Sequence, residues 1–96
     1  MREPLSIEAI QEALKELPGW NFKQHRLVKT FVFEDFREAI SFIVRMAFYA
    51  EELQHHPELS NVYNRVTLAL TTHDAGNRVT EKDLELARAI ERISSV

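Results

Sequence analysis

At 96 residues, with 45% hydrophobic and 28% charged side chains, the chain has the size and balance of one globular domain over residues 1–96. It has no cysteine, which removes disulfides, thiolate metal ligands and thiol nucleophiles. Its net charge of −3 with histidine neutral, without a block of one sign, argues against a basic face for nucleic acid.

Ser6 is placed to cap a first helix, with Ile7, Ile10, Leu14 and Leu17 on one stripe, and Pro18-Gly19 stops it. Trp20 to Lys23 and Leu27 to Phe33 read as two short strands. Between them, Gln24-His25 lacks the Asn-Gly chemistry of a tight hairpin turn.

The longest helix is expected from about Asp35 to Leu53. Phe36, Ile40, Ile43 and Ala47 make one stripe; Ala39, Phe42, Met46, Tyr49 and Leu53 make a second beside it. Together they take more than half of the circumference and leave Arg37, Glu38, Ser41, Arg45 and Glu52 as the polar strip. One sheet face in a small domain covers less than that. Part of this helix is therefore expected to meet a second copy; the alternative is that loops and the other helices cover it. Glu51 breaks the pattern by projecting between Ile40 and Val44, and it lies four residues before His55, within reach on a continuing helix.

Pro57 disfavours helix at His56 and turns the chain outward. Leu59 to Tyr63 reads as a short strand, and Val66 to Thr72 as a longer one. In the latter, Val66, Leu68 and Leu70 point one way and Thr67, Ala69 and Thr71 the other. His73 continues the threonine side, and Asp74 to Asn77 is a turn. Thr80-Glu-Lys-Asp83 resembles a capping box with Asp in the fourth place. It opens a last helix whose buried face carries Leu86, Ala87, Ile90 and Ile93, with Asp83 on that same face. The order is helix, two strands, helix, two strands, helix: an α+β domain with an antiparallel sheet and helices on one face. No leader segment and no apolar run near the roughly 18 residues of a membrane span is visible, so a cytoplasmic protein without membrane contact is expected.

Candidate chemistry narrows to histidine. Adjacent His55 and His56, with no His-x-x-x-His pair on a helix face, do not suit a zinc site, so no metal is expected. No Gly-x-Ser-x-Gly elbow exists, and Gly19 and Gly76 as the only glycines give no phosphate loop. Metal-free acid–base work remains, carried by His55, His56 and His73 with Glu51 or Asp83 as orienting carboxylates. His25 reads as a surface turn residue.

The pattern Glu51-x-x-x-His55-His56-Pro57, then Tyr63, His73 and Asp83, resembles the signature of pterin-4a-carbinolamine dehydratases. His-His-Pro-Glu, Asn-Val-Tyr-Asn, Thr-His-Asp and Asp-Leu-x-Leu-Ala agree with it, as do Leu17 to Trp20 and Phe31 to Phe36, so the likeness spans nearly the whole chain. The resemblance implies four antiparallel strands with three helices on one side, and dimers, or tetramers built from dimers through the long helix. It implies dehydration of 4a-hydroxytetrahydrobiopterin to quinonoid dihydrobiopterin without metal or cofactor, in pterin recycling. His55, His56 and His73 match the family's catalytic histidines. Glu51 would charge-balance them, and main chain around Pro57 and from Thr72 through His73 and Asp74 to Ala75 would meet the pyrimidine edge. Which histidine is acid and which is base stays open. The chain departs from the pattern at Gln54, where many relatives carry an acid, at Leu59, where many carry an aromatic, and at Asn77-Arg78, with one residue more. Two alternatives stand beside this: an interaction module using the apolar long helix, as in coactivator relatives, and a dehydratase for another pterin.

Overall fold

The structure, a computed structural model, describes residues 3–94. Helix α1 spans Ile7–Leu14, strands β1 and β2 span Asn21–Lys23 and Arg26–Val32, and helix α2 spans Phe36–Leu53. Strands β3 and β4 follow at Glu58–Val62 and Arg65–Leu70, then a 3₁₀ turn at His73–Ala75 and helix α3 at Glu81–Ser94. The four strands form one antiparallel sheet in the order β1-β2-β4-β3. Leu27, Phe31, Val66, Leu68 and Leu70 enter a single core with Ile10 of α1, Phe42 and Met46 of α2, and Leu86 and Ile90 of α3. The three helices thus share one sheet face, as the α+β reading requires. Thr30 and Thr67, paired in register, hydrogen-bond through their hydroxyls at 2.9 Å on the other face.

Local chemistry accounts for the element ends. Ser6 Oγ accepts from the Ala9 N–H at 3.1 Å and caps α1. That helix is shorter than its apolar stripe: Leu17 reaches the core through tighter turns, its N–H bonded to the Leu14 carbonyl, while Ile7 stays exposed. Gly19 follows at φ +85°, and a Cβ there would sit 2.9 Å from Lys29 Cε. The crowding arises because Lys29 Nζ donates to the Pro18 carbonyl at 2.8 Å and to Glu91 Oε2 at 2.6 Å. Glu91 also takes the Trp20 indole N–H, so this network ties the loop after α1 to α3.

Gln24 and His25 occupy a two-residue hairpin turn at φ 51° and 62°. Both sit in the left-handed region that Asn-Gly adopts without strain. One tertiary and one local contact hold them there: the His25 carbonyl accepts from Thr71 Oγ1 at 3.2 Å, and the Gln24 carbonyl from the neighbouring Arg26 side chain at 3.3 Å.

Asp35 caps α2 by accepting from the Glu38 N–H at 2.9 Å. Ala39, Phe42, Met46 and Ala50 face the core. Phe36, Ile40, Val44 and Phe48 repeat every four residues on another side, and Phe48 is 72% exposed. Among the described residues no loop or helix covers this stripe. Tyr49, which shares the second apolar stripe with Ala39, Phe42 and Met46, is also exposed, because the core side of α2 is narrower than the apolar sequence. No helix among the described residues is long and apolar enough to cross a membrane.

Candidate active site

Helix α2 ends in a way that splits two adjacent histidines. Gln54 adopts a left-handed conformation at φ 54°, and the His55 N–H bonds back to the Ala50 carbonyl at 3.0 Å. This is the Schellman closure, made with glutamine in the place that glycine usually takes. Pro57 then prevents the helix from resuming. His55 turns inward and is 9% exposed, whereas His56 remains outside.

Asp83 meets His55 in the interior. It is wholly buried, and Oδ1 lies 2.5 Å from His55 Nε2. Its Oδ2 accepts from the Thr72 hydroxyl and from the Thr80 N–H, both at 2.8 Å. The Thr80 bond is half of a capping box; the Thr80 hydroxyl accepts from the Lys82 N–H at 3.2 Å. It also lies 2.7 Å from the Thr72 hydroxyl. Because Thr72 donates to Asp83, Thr80 donates to Thr72. A relay thus runs from the first turn of α3 to the carboxylate and on to His55. A buried carboxylate needs such donors. As a carboxylate only accepts, His55 Nε2 carries the proton of that bond.

The partner of Glu51 differs from the expected one. Glu51 Oε1 lies 2.9 Å from His56 Nε2, not at His55, because the left-handed Gln54 swings His55 to the opposite side. Both members of this pair are exposed. His73 heads the 3₁₀ turn, and its Nδ1 lies 2.7 Å from Asn77 Oδ1.

The three histidines border the same space. One cavity of about 340 Å³ is lined by Gln54, His55, His56, Thr71, Thr72, His73 and Asp74. This is within the range of small-molecule sites, roughly 300–1,000 Å³. Pro57 and Ala75, named as main-chain contacts, flank lining residues without lining the cavity. Two residues that sequence reasoning passed over stand nearby. Arg26 grips Glu58 with two bonds of 3.0 Å. The hydrogen bond from Arg26, and less strongly the charge of His73, holds the Glu58 carboxyl below the ordinary carboxylate range. Their side-by-side placement across β4 depends on strand register, and no local signal in the sequence marks it. His25 lies outside the cavity lining, with its ring edge against Phe22. Among the described residues no group of three or more His, Cys, Asp or Glu is arranged to hold an ion.

A cavity lined by three histidines, one of them bonded to a buried carboxylate, on an α-β-β-α-β-β-α chain defines a class of small α+β domains with a histidine-lined cavity. Comparison with known proteins identifies its family. The family described as "Pterin 4 alpha carbinolamine dehydratase" matches residues 3–93, and the chain belongs to that family. A relative from Opitutus terrae is 60% identical over 87 residues, 91% of this chain and 90% of the relative. One from Thermomicrobium roseum is 49% identical over 95% of this chain and 97% of the relative. Both carry the name "Putative pterin-4-alpha-carbinolamine dehydratase". A crystal structure described as a transcriptional coactivator/pterin dehydratase from Brucella melitensis superposes with a TM-score of 0.90 at 41% identity, over 95% of this chain and 98% of that one.

Proposed function

We propose that this protein dehydrates 4a-hydroxytetrahydropterins, 4a-hydroxytetrahydrobiopterin among them, to the quinonoid dihydropterin, by acid–base catalysis in the cytoplasm with no metal or cofactor. The observation that carries this reading is the single cavity lined by His55 and His56, just past the end of α2, and by His73, at the head of the 3₁₀ turn, each with a partner of its own. Family membership supplies the substrate class.

The partners suggest a division of labour. Protonated His55 delivers a proton to the C4a hydroxyl as the C–O bond breaks and water leaves. Its positive charge is compensated by Asp83 behind it. His73, backed by a neutral amide, removes the proton from the ring nitrogen, whose electron pair becomes the new C=N bond. The two imidazoles then return to their starting states by proton exchange with solvent. His56, held by Glu51, positions the pterin and its hydroxyl. Main-chain groups near Pro57 and from Thr72 to Ala75 meet the pyrimidine edge.

The test follows dehydration of freshly generated 4a-hydroxytetrahydropterin by absorbance. Catalysis by the native protein is expected, undiminished by a chelator and unaffected by His25→Ala. No acceleration would sink the dehydratase reading and favour a binding role. Loss on chelation with recovery on adding zinc would replace the metal-free mechanism.

The stripe Phe36, Ile40, Val44 and Phe48 supports a further part of the reading, in which α2 packs against its counterpart in a homodimer or homotetramer. Sedimentation at micromolar concentration is expected to show the oligomer, and Val44→Glu with Phe48→Glu to give the monomer. A native protein that sediments as a monomer would leave the stripe to a different partner, as in the coactivator reading.

A further inference from the structure

We infer that Asn77 is a positioning residue for His73: it holds the ring as the Nδ1–H tautomer, so that Nε2 is the atom that accepts the substrate's proton. This rests on the dehydratase reading for its catalytic part and on geometry alone for its structural part. His73 Nδ1 and Asn77 Oδ1 are 2.7 Å apart. An amide oxygen only accepts, so the hydrogen lies on Nδ1 and the lone pair of the neutral ring on Nε2.

The backbone explains why residue 77 can do this. Asn77 sits at φ 59°, in the left-handed region that asparagine tolerates better than other residues with a Cβ. Thr72 clamps it from both sides. The Asn77 N–H bonds to the Thr72 carbonyl at 3.0 Å, and the Thr72 N–H to the Arg78 carbonyl at 2.9 Å. Thr72 is also the residue whose hydroxyl reaches Asp83. The clamp that aims Asn77 at His73 is therefore built on the same residue that anchors the partner of His55. Glycine at position 77 would meet the backbone requirement equally well, but without the oxygen.

That difference makes the test clean, because Asn77→Gly removes the hydrogen bond while keeping the turn. In the native protein at about pH 8.5, well above the ordinary histidine range, ¹⁵N NMR of labelled histidine is expected to show the His73 hydrogen on Nδ1. In Asn77→Gly it is expected to be shared between both nitrogens. kcat should fall about 3- to 10-fold, the worth of one neutral hydrogen bond, with KM within about twofold. Asn77→Asp keeps the acceptor and adds a negative charge. It should keep the tautomer and move the acid limb of the pH–rate profile upward, since the base then releases its proton less readily.

The other groups around His73 stay constant in these variants: Asp74 beside it, His55 and His56 across the cavity, Arg78 after the turn, and the Glu58–Arg26 pair on β3 and β2. A native ring with its hydrogen on Nε2, or a glycine variant with unchanged tautomer and kcat, would overturn the inference. If the native protein shows no dehydration, the NMR result alone decides Asn77, and the two readings fail or stand separately.

Discussion

Asp83→Asn should lower the melting temperature by roughly 10–25 °C, for a loss of about 2–4 kcal/mol in a domain of this size. The native carboxylate turns Oδ1 to His55 and Oδ2 to both Thr72 and the Thr80 N–H. An amide has one oxygen. If its NH₂ faces Thr72 and Thr80, a donor meets the start of α3; if it faces His55, a donor meets Nε2–H. Unless the His55 ring changes its tautomer or moves, either placement leaves a buried donor without its acceptor, at about 1–3 kcal/mol for each such group. Activity should fall by about 10²–10⁴-fold, because the His55 ring must change its tautomer or its place. Thermal unfolding and dehydration kinetics on the same preparation check both parts. A variant that melts within about 2 °C of the native protein would show that the relay from Thr80 through Thr72 to Asp83 does not carry the stability assigned to it.

His55→Ala and His73→Ala should each reduce kcat by about 10²–10⁴-fold, the usual share of a positioned acid or base. Their effects on stability should differ. His55 is buried, and its loss leaves Asp83 with an unmet acceptor and a void, costing about 2–3 kcal/mol. His73 is exposed, and its removal should change stability by no more than about 0.5 kcal/mol. Two variants equally damaged in catalysis but unequal in denaturant midpoint would match the buried and exposed partners. If His73→Ala keeps full kcat, the base must be sought elsewhere on the cavity wall.

One side chain joins fold and site. Asp83 closes the capping box of α3 with the Thr80 N–H and at the same time orients a histidine from the end of α2. Moving it would unsettle the helix start as well as the cavity. Asp83 was legible as a cap from Thr80-x-x-Asp83, and as buried from its place on the apolar face of α3. Glu51 was legible as anomalous, yet its partner was misread. A helical wheel extends the helix through Gln54, whereas the chain leaves it there in a left-handed step. Asn77 was visible only as a departure from the family pattern, since nothing local in the sequence shows that its side chain turns back to His73.

The periodic elements and their order were determined by the sequence itself. Apolar spacing, Ser6 and Asp35 as caps, and prolines as stops act within a few residues and leave their mark in the text. So were the three candidate histidines, by residue type and by their positions at element ends. Only the tertiary structure decided that β4 lies between β2 and β3, that His55 is paired with Asp83 and His56 with Glu51, and that the outer stripe of α2 stays bare. The reason is physical. Sheet order, ring direction after a left-handed cap and the width of a buried helix face depend on packing between segments far apart in the chain, and local spacing cannot encode them.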